Sequence, residues 1–271
     1  MHATSDEAPT QREKGERFRA LHEEGTFVIP NPWDAGAARV LEALGFQALA
    51  TTSSGFAFTL GRRDGGATLD DVEAHVRLLA SVSRLPVSVD LENGYGADPE
   101  DAATTVRRVA AAGAVGGSIE DYDRDAGLYG REQAAERVAA AAEAARGLDV
   151  PFVLTGRAEN HIRGNPDLDD TIARLQAYEQ AGADVLFAPG LRTPDEIRAV
   201  CGAVGRPVNV LAHAGLTLDQ IARAGARRVS VGGALTWVAV NAMVGAAKRI
   251  RDDGDLSALT GPGEIRDWLA G

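Results

Sequence analysis

The chain has 271 residues, a formal net charge of −11 and one cysteine, Cys201. That length suits one α/β barrel or two small domains, and an acidic chain lacks the basic footprint that nucleic acid or an anionic membrane surface would need. A single cysteine excludes an internal disulfide framework, no apolar run approaches the ~20 residues of a bilayer span, and the N-terminus is polar rather than signal-like, so a soluble cytoplasmic protein is expected.

In chain order, residues 1–10 read as a polar arm and 11–24 as a helix with Phe18, Ala20 and Leu21 on its apolar stripe. Apolar runs with the look of buried parallel strands follow at 26–29, 48–52, 87–91, 117–119, 152–155, 185–187, 208–211 and 228–231. Helical patterns separate them at 35–44, 69–82, 99–112, 131–145, 169–181, 194–204, 217–224 and 234–251. Asp98-Pro99, Thr193-Pro194 and Thr217 are helix starts, and Gly45, Gly113, Gly182 and Gly225 stand where helices end before strands. Eight strands alternating with eight helices predict an α/β fold of the (β/α)8 TIM-barrel type; a doubly wound open sheet is the alternative. The expected division is an N-terminal arm and helix at 1–25, the barrel at 26–252, and a C-terminal segment with a short helix at 253–271.

A TIM-type barrel carries its active site at the C-terminal ends of its strands, so those ends hold the candidate residues. The third ends Val89-Asp90-Leu91-Glu92-Asn93-Gly94-Tyr95-Gly96. Residues i and i+2 of a strand share a face, so Asp90 and Glu92 are expected to project together and to repel each other unless a cation intervenes. The fourth ends in Glu120-Asp121 and the fifth in Arg157-Ala158-Glu159-Asn160-His161. Trp33 follows the first strand as a pocket wall or a packing aromatic. Thr52-Ser53-Ser54 follows the second as a turn able to hold an anion, and Asn209 and His213 mark the seventh. Asp64 either joins the acids or answers Arg62 and Arg63. A carboxylate-only donor set favours Mg2+, with Mn2+ also suitable, over zinc. His22 and His75 read as helix-surface residues.

The motif from Val89 to Gly96 resembles the metal site of the isocitrate lyase and phosphoenolpyruvate mutase superfamily, in its phosphonomutase-like branch. The likeness extends through Pro32-Trp33-Asp34-Ala35, Leu60-Gly61-Arg62-Arg63-Asp64, Ile119-Glu120-Asp121, Gly156-Arg157-Ala158-Glu159 and Arg228-Val229-Ser230-Val231-Gly232. The resemblance implies that Asp90 binds Mg2+ directly or through water, that Glu92 and Glu120 hold its waters, and that Asp64 stands behind them. It implies that backbone around Thr52, Ser53 and Ser54 holds a substrate carboxylate and that Arg157 meets an oxyanion. It also implies a last barrel helix swapped between subunits in a homodimer or homotetramer.

Departures from the family pattern bear on the reaction. Glu92 replaces an Asp, the loop 121–130 lacks the Lys-x-Cys or Lys-Lys-Cys core, and Phe187-Ala188-Pro189-Gly190 stands where relatives carry Glu or His. The acid–base partner is then sought among Tyr129, Asp123, Glu159 and His161. The expected activity is Mg2+-dependent carbon–carbon cleavage or oxaloacetate-type hydrolysis of a small 2-oxo or 2-hydroxy carboxylate through an enolate-like intermediate. A phosphonopyruvate-type carbon–phosphorus lyase or mutase, and a non-catalytic metal and carboxylate binder, are the alternatives.

Overall fold

A computed structural model describes residues 7–269; residues 1–6 of the expected arm and 270–271 of the tail lie outside the described residues. The strands are β1 (Phe27–Ile29), β2 (Leu49–Ala50), β3 (Val87–Asp90), β4 (Gly116–Glu120), β5 (Tyr122–Asp123), β6 (Gly127–Leu128), β7 (Val153–Arg157), β8 (Val185–Phe187), β9 (Val208–Leu211) and β10 (Arg228–Ser230). Eight of them form one sheet of neighbours β1-β10-β9-β8-β7-β4-β3-β2, every pair parallel. A hydrogen bond from Ala50 N–H to the Pro30 carbonyl at 3.0 Å joins the two ends. The alternation read from the sequence therefore closes as a (β/α)8 barrel.

The helices are α1 (Gln11–Ala20), α2 (Ala35–Ala43), α3 (Ser53–Thr59), α4 (Leu69–Val82), α5 (Pro99–Ala111), α6 (Arg131–Arg146), α7 (Leu168–Ala181), α8 (Pro194–Ala203), α9 (Leu218–Arg223), α10 (Ala234–Asp253) and α11 (Ile265–Trp268). Capping explains most starts: Thr68, Asp98, Thr193 and Thr217 each form reciprocal capping boxes with the residue three positions on, satisfying amides that the helix leaves free. Two segments depart from expectation. α1 stops at Ala20 because the chain turns through Leu21–Gly25, where Gly25 has φ 70°. The expected 52–54 turn is the start of α3: Thr52 leaves the sheet in an extended conformation and its Oγ1 accepts from Gly55 N–H at 3.3 Å.

Burial follows a two-sided plan. Alanine, valine and leucine fill the layer between strands and helices, as around Val106, Ala141, Leu154 and Leu186, and this apolar burial is the main stabilising term. At the N-terminal end of the barrel, α1 presses Phe18 against Phe27, Val115, Val153 and Val185 and plugs the ring. The interior above this plug is polar and small, with Ser88, Thr155, Asn209, Ser230 and Arg228 all buried.

His22 and His75 do not lie on helix surfaces. His22 is buried under the barrel beside Phe18 and Phe27, and His75 stacks on Phe56 at 4.0 Å between ring centroids. Both face the sheet rather than water, so burial holds their pKa values down, to about 3 and about 4. Among the described residues, no helix is long and apolar enough to cross a membrane.

Candidate active site

The C-terminal mouth opens into a cavity of about 200 Å³ lined by Ser53, Ser54, Asp64, Asp90 and Arg157 above and by Ser88, Asn209, Arg228 and Ser230 within. Asp90 ends β3 and is held from two sides. Its N–H donates to Thr51 Oγ1 at 2.9 Å, and its Oδ2 accepts from Ser53 N–H at 3.2 Å. The expectation that Asp90 and Glu92 share a strand face needs correction. The strand stops at Asp90, and Glu92 takes a left-handed φ of 47°, where pleat alternation no longer applies. The turn instead folds Glu92 N–H back onto Asp90 Oδ1 at 3.4 Å, and the Asp90 charge still reaches the Glu92 carboxyl.

That turn is braced from behind by Arg137 of α6, whose guanidinium is fully buried and donates to the carbonyls of Asn93, Gly96 and Ala97. Gly94, at φ 87°, lies so close to α5 that a Cβ there would stand 3.0 Å from Ala102 Cα. Arg137 carries no motif in the sequence. The signal was one long cation on a helix face otherwise made of Ala134, Val138 and Ala141.

Arg157 occupies the centre of the acids. Its Nη1 lies 3.5 Å from Asp90 Oδ1 and 3.4 Å from Glu120 Oε2, and its Nε donates to Glu159 Oε1 at 2.7 Å. Burial opposes its charge, but Glu120, Glu159 and Asp90 outweigh that and raise its pKa. Glu120 faces Arg157 in register across β4 and β7; burial, with Glu159, Asp90 and Glu92 adding to it against Arg157, pushes its carboxyl up to about 8. Glu92 is pushed up to about 7 by burial and by Asp90, and its Oε1 is buried with no partner. Its other oxygen meets Arg124 Nη2 at 3.4 Å, and the same Nη2 lies 3.6 Å from Asp64. Asp64 thus answers Arg124 from the 121–130 loop, not Arg62 or Arg63.

These groups fit a hydrated divalent cation. Asp90, Glu92 and Glu120 crowd more negative charge than Arg157 and Arg124 relieve. Among the described residues, Glu92 Oε1 and the neighbouring Tyr95 hydroxyl are both buried without a geometric hydrogen-bond partner, which leaves the excess charge unanswered by any cation there. Among the described residues no three His, Cys, Asp or Glu side chains converge tightly enough to ligate an ion directly. Mg2+, which keeps several waters, suits acids arranged this way.

The acid–base candidates fare differently. The 121–130 loop is a hairpin of β5 and β6. Asp123 serves its turn by accepting from Asp125 and Ala126 N–H, each at 2.8 Å, which holds its pKa low. The Tyr129 hydroxyl accepts from Asn93 Nδ2 at 3.1 Å in the buried layer under the hairpin. Glu159 is fully buried between Arg157 and Arg163, the latter at 2.8 Å, so it positions Arg157 and is not presented to the cavity. His161 sits on a 3-10 turn with Nδ1 3.4 Å from Thr171 Oγ1. Trp33 packs by its Cβ against Gly55. None of Trp33, Tyr129, Glu159 and His161 lines the cavity; each sits where the chain turns away from it. Asn209 does line it, accepting from Arg228 Nε at 2.9 Å and donating to Ser230 Oγ at 2.9 Å. Asn31, passed over in the sequence, ties β1 to the end of β10 by accepting from Val231 and Gly232 N–H at 3.0 and 2.9 Å.

The sequence model for phosphoenolpyruvate phosphomutase matches residues 18–251. The chain belongs to that family. Within the isocitrate lyase and phosphoenolpyruvate mutase superfamily it is a lyase-type enzyme, and its relatives spread over several reactions. The 2-methylisocitrate lyase of Escherichia coli K12 is 32% identical over 206 residues, covering 72% of this chain and 68% of that one. The oxaloacetate decarboxylase of Rhodopseudomonas palustris TIE-1 is 30% identical over 263 residues, covering 92% and 89%. Among solved structures, a provisionally named lyase/mutase of Burkholderia cenocepacia J2315 has 51% identity and a TM-score of 0.93, covering 96% of this chain and 97% of that one. Oxaloacetate acetylhydrolase with its product oxalate follows at 26% and 0.85, covering 94% and 93%. Phosphonopyruvate hydrolase with oxalate and Mg2+ stands at 27% and 0.83, covering 94% of each chain.

Proposed function

We propose that the family member described here is a Mg2+-dependent carbon–carbon lyase or oxaloacetate-type hydrolase acting on a small 2-oxo or 2-hydroxy carboxylate. The observation that carries this reading is the pair Asp90 and Glu120 around Arg157, with Glu92 close enough to feel the Asp90 charge and to raise the cost of ionising Glu120, and its Oε1 buried without a hydrogen-bond partner. Asp90 would hold the ion, directly or through water, and Glu92 and Glu120 its waters, with Asp64 behind them. When bound, Mg2+ supplies a Lewis acid for a carboxylate and the adjacent oxo or hydroxyl oxygen.

The chain's own groups do the rest. Arg157, fixed by Glu159, presents a guanidinium to the oxygen on which negative charge develops as the adjacent bond breaks, and a donor held in place costs no reorganisation at that moment. Ser53 and Ser54, at the start of α3, offer hydroxyls and an N–H to the substrate carboxylate. The β5–β6 hairpin covers the acids with Arg124, whose side chain lies over Gly65. The relatives named for oxaloacetate chemistry and the oxalate complexes support a short carboxylate substrate, and the Mg2+ complex of phosphonopyruvate hydrolase supports the metal. The exposed apolar side chains Trp237, Val238, Met243 and Val244 of α10 support a homo-oligomer in which this helix packs on another subunit.

A panel of oxaloacetate, alkyl-malates, methylisocitrate and phosphonopyruvate with Mg2+ tests the reading. Release of pyruvate or oxalate from a carbon acid is the expected outcome. Phosphate release from phosphonopyruvate alone would transfer the assignment to carbon–phosphorus cleavage, and Mg2+-dependent oxalate binding without turnover of any member would mark a non-catalytic binder.

A further inference from the structure

Below the acids, the barrel interior holds a second cation in a different setting. Arg228 begins β10 and is buried, and its guanidinium lines the same cavity as Asp90 and Arg157. Its partners are all neutral. Nε donates to Asn209 Oδ1 at 2.9 Å, Nη2 donates to Thr155 Oγ1 at 2.9 Å, and Nη1 lies 3.4 Å from His22 Nε2. His22 Nδ1 sits 2.8 Å from the Phe18 carbonyl, which fixes the proton on that nitrogen and leaves Nε2 as an acceptor. Among the described residues no carboxylate reaches ion-pair distance of Arg228, whereas Arg157 has Asp90, Glu120 and Glu159. Burial alone, with no acid answering it, lowers the Arg228 pKa to about 9.

A guanidinium has five N–H donors, and three neutral contacts leave two of them and the whole charge unanswered. An unpaired charge in a water-poor interior is costly, so its retention here calls for an anion. The site leaves room for one. TIM-barrel interiors are ordinarily packed with branched apolar side chains, while here Ser88, Ser118 and Ser230 border the cavity. Its depth is set by Thr155, bonded to Arg228 and two residues before Arg157 on β7. Two residues of strand span roughly 6.7 Å, about the length of a four-carbon diacid.

We propose that Arg228 determines substrate class by receiving a second anionic group, one side-chain layer below the end held at Asp90 and Arg157. The substrate is then a short dianion, a 2-oxo or 2-hydroxy acid ending in a carboxylate or phosphonate, and not a monocarboxylate. This rests on the reading that the carboxylate and oxo or hydroxyl end binds at the mouth with Mg2+.

Calorimetric titration of the full-length protein with Mg2+ tests it, using oxalate, lactate, malate and phosphonopyruvate as probes. Oxalate is too short to span both ends and reports the mouth alone. Wild type should bind malate or phosphonopyruvate about 30-fold more tightly than lactate, the value of one charge-assisted pair. Arg228→Met should erase that preference and leave oxalate within about threefold. Arg228→Lys should restore part of it, and whichever dianion loses more identifies the terminal group. If wild type binds oxalate but prefers neither dianion over lactate, the inference is overturned while the metal-site reading stands. If Arg228→Met lowers the melting temperature yet keeps the dianion preference, the residue is structural only and the inference is again overturned. Failure of wild type to bind oxalate with Mg2+ would overturn the reading beneath, and this inference with it. Should Arg228→Met fail to fold, the wild-type ratio and Arg228→Lys decide.

Discussion

Arg157 and Arg228 line one cavity at two depths, the first with carboxylate oxygens of Asp90, Glu120 and Glu159 at 3.5, 3.4 and 2.7 Å, the second among Asn209, Thr155 and His22. At the rim the acids exceed the arginines, and burial, with neighbouring acids adding to it, drives the carboxyls of Glu92 and Glu120 toward protonation. Deeper in, the cation exceeds everything near it. A cavity negative at its mouth and positive at its floor is electrostatically incomplete at both ends, and a divalent cation paired with a dianion completes both. The difference teaches that neither arginine is explained by fold stability alone.

The sharpest way to break this comparison is Asp90→Ala. It removes the carboxylate that faces Arg157 at 3.5 Å and accepts from the Ser53 amide, and Mg2+-dependent oxalate binding should disappear, with turnover of any productive substrate falling about 10³-fold. Calorimetry with and without Mg2+ reads it, and unchanged Mg2+-dependent binding would remove Asp90 from the metal site. Substituting the two arginines in turn should give opposite results in a melting experiment. Arg157→Met leaves buried Glu159 and Glu120 short of a partner and should cost about 3 kcal/mol, a fall of roughly 6–12 °C. Arg228→Met orphans no acid and should leave the melting temperature level or raised. Equal losses would mean that the two cations serve the same purpose.

A gentler perturbation is pH. Ordinary glutamate titrates near 4.3 in the unfolded chain, while folded Glu92 and Glu120 are pushed up to about 7 and about 8. Between about pH 5 and 8 the folded protein therefore holds protons that the unfolded chain has released. These two groups contribute stability below that window and lose it as pH rises through it. Mg2+ favours the ionised carboxylates, so it should stabilise more at pH 8 than at pH 6. Melting curves at both pH values, with and without millimolar Mg2+, check this. A Mg2+ effect independent of pH would detach Glu92 and Glu120 from the ion.

Much of the rim was legible because its chemistry is local in sequence. Asp90, Glu120 and Arg157 each follow an apolar run, and alternation of strand and helix was enough to bring the strand ends together. What stayed hidden depends on tertiary context. Glu92 N–H reaches Asp90 through a left-handed turn that Arg137 holds from a distant helix, and periodicity carries no trace of that. Ser53 and Ser54 looked like a turn because seven residues rich in Ser, Thr and Gly carry little helical pattern, yet Thr52 caps them. Arg228 sits at a strand's first position, where a charged residue reads as a surface start; only ring closure turns it inward. His22 and His75 misled for the mirror reason, polar residues on faces that packing covers.

The smallest effect expected is also the most direct check on where the comparison ends. Tyr129 stood among the candidate proton donors because it lies on the loop that covers the mouth. Its hydroxyl instead takes a hydrogen from Asn93 and lies 3.5 Å from Asp123, while Arg137 lies over its ring at 4.9 Å. All of these brace the turn that carries Glu92; none faces the cavity between the two arginines. Tyr129→Phe keeps the ring and the cation contact and removes one hydrogen-bonding group, which should cost about 1 kcal/mol of stability and change kcat by less than about threefold. A loss of 10² or more in kcat, with an altered pH profile, would instead make the hydroxyl a proton donor and bring the hairpin into the chemistry.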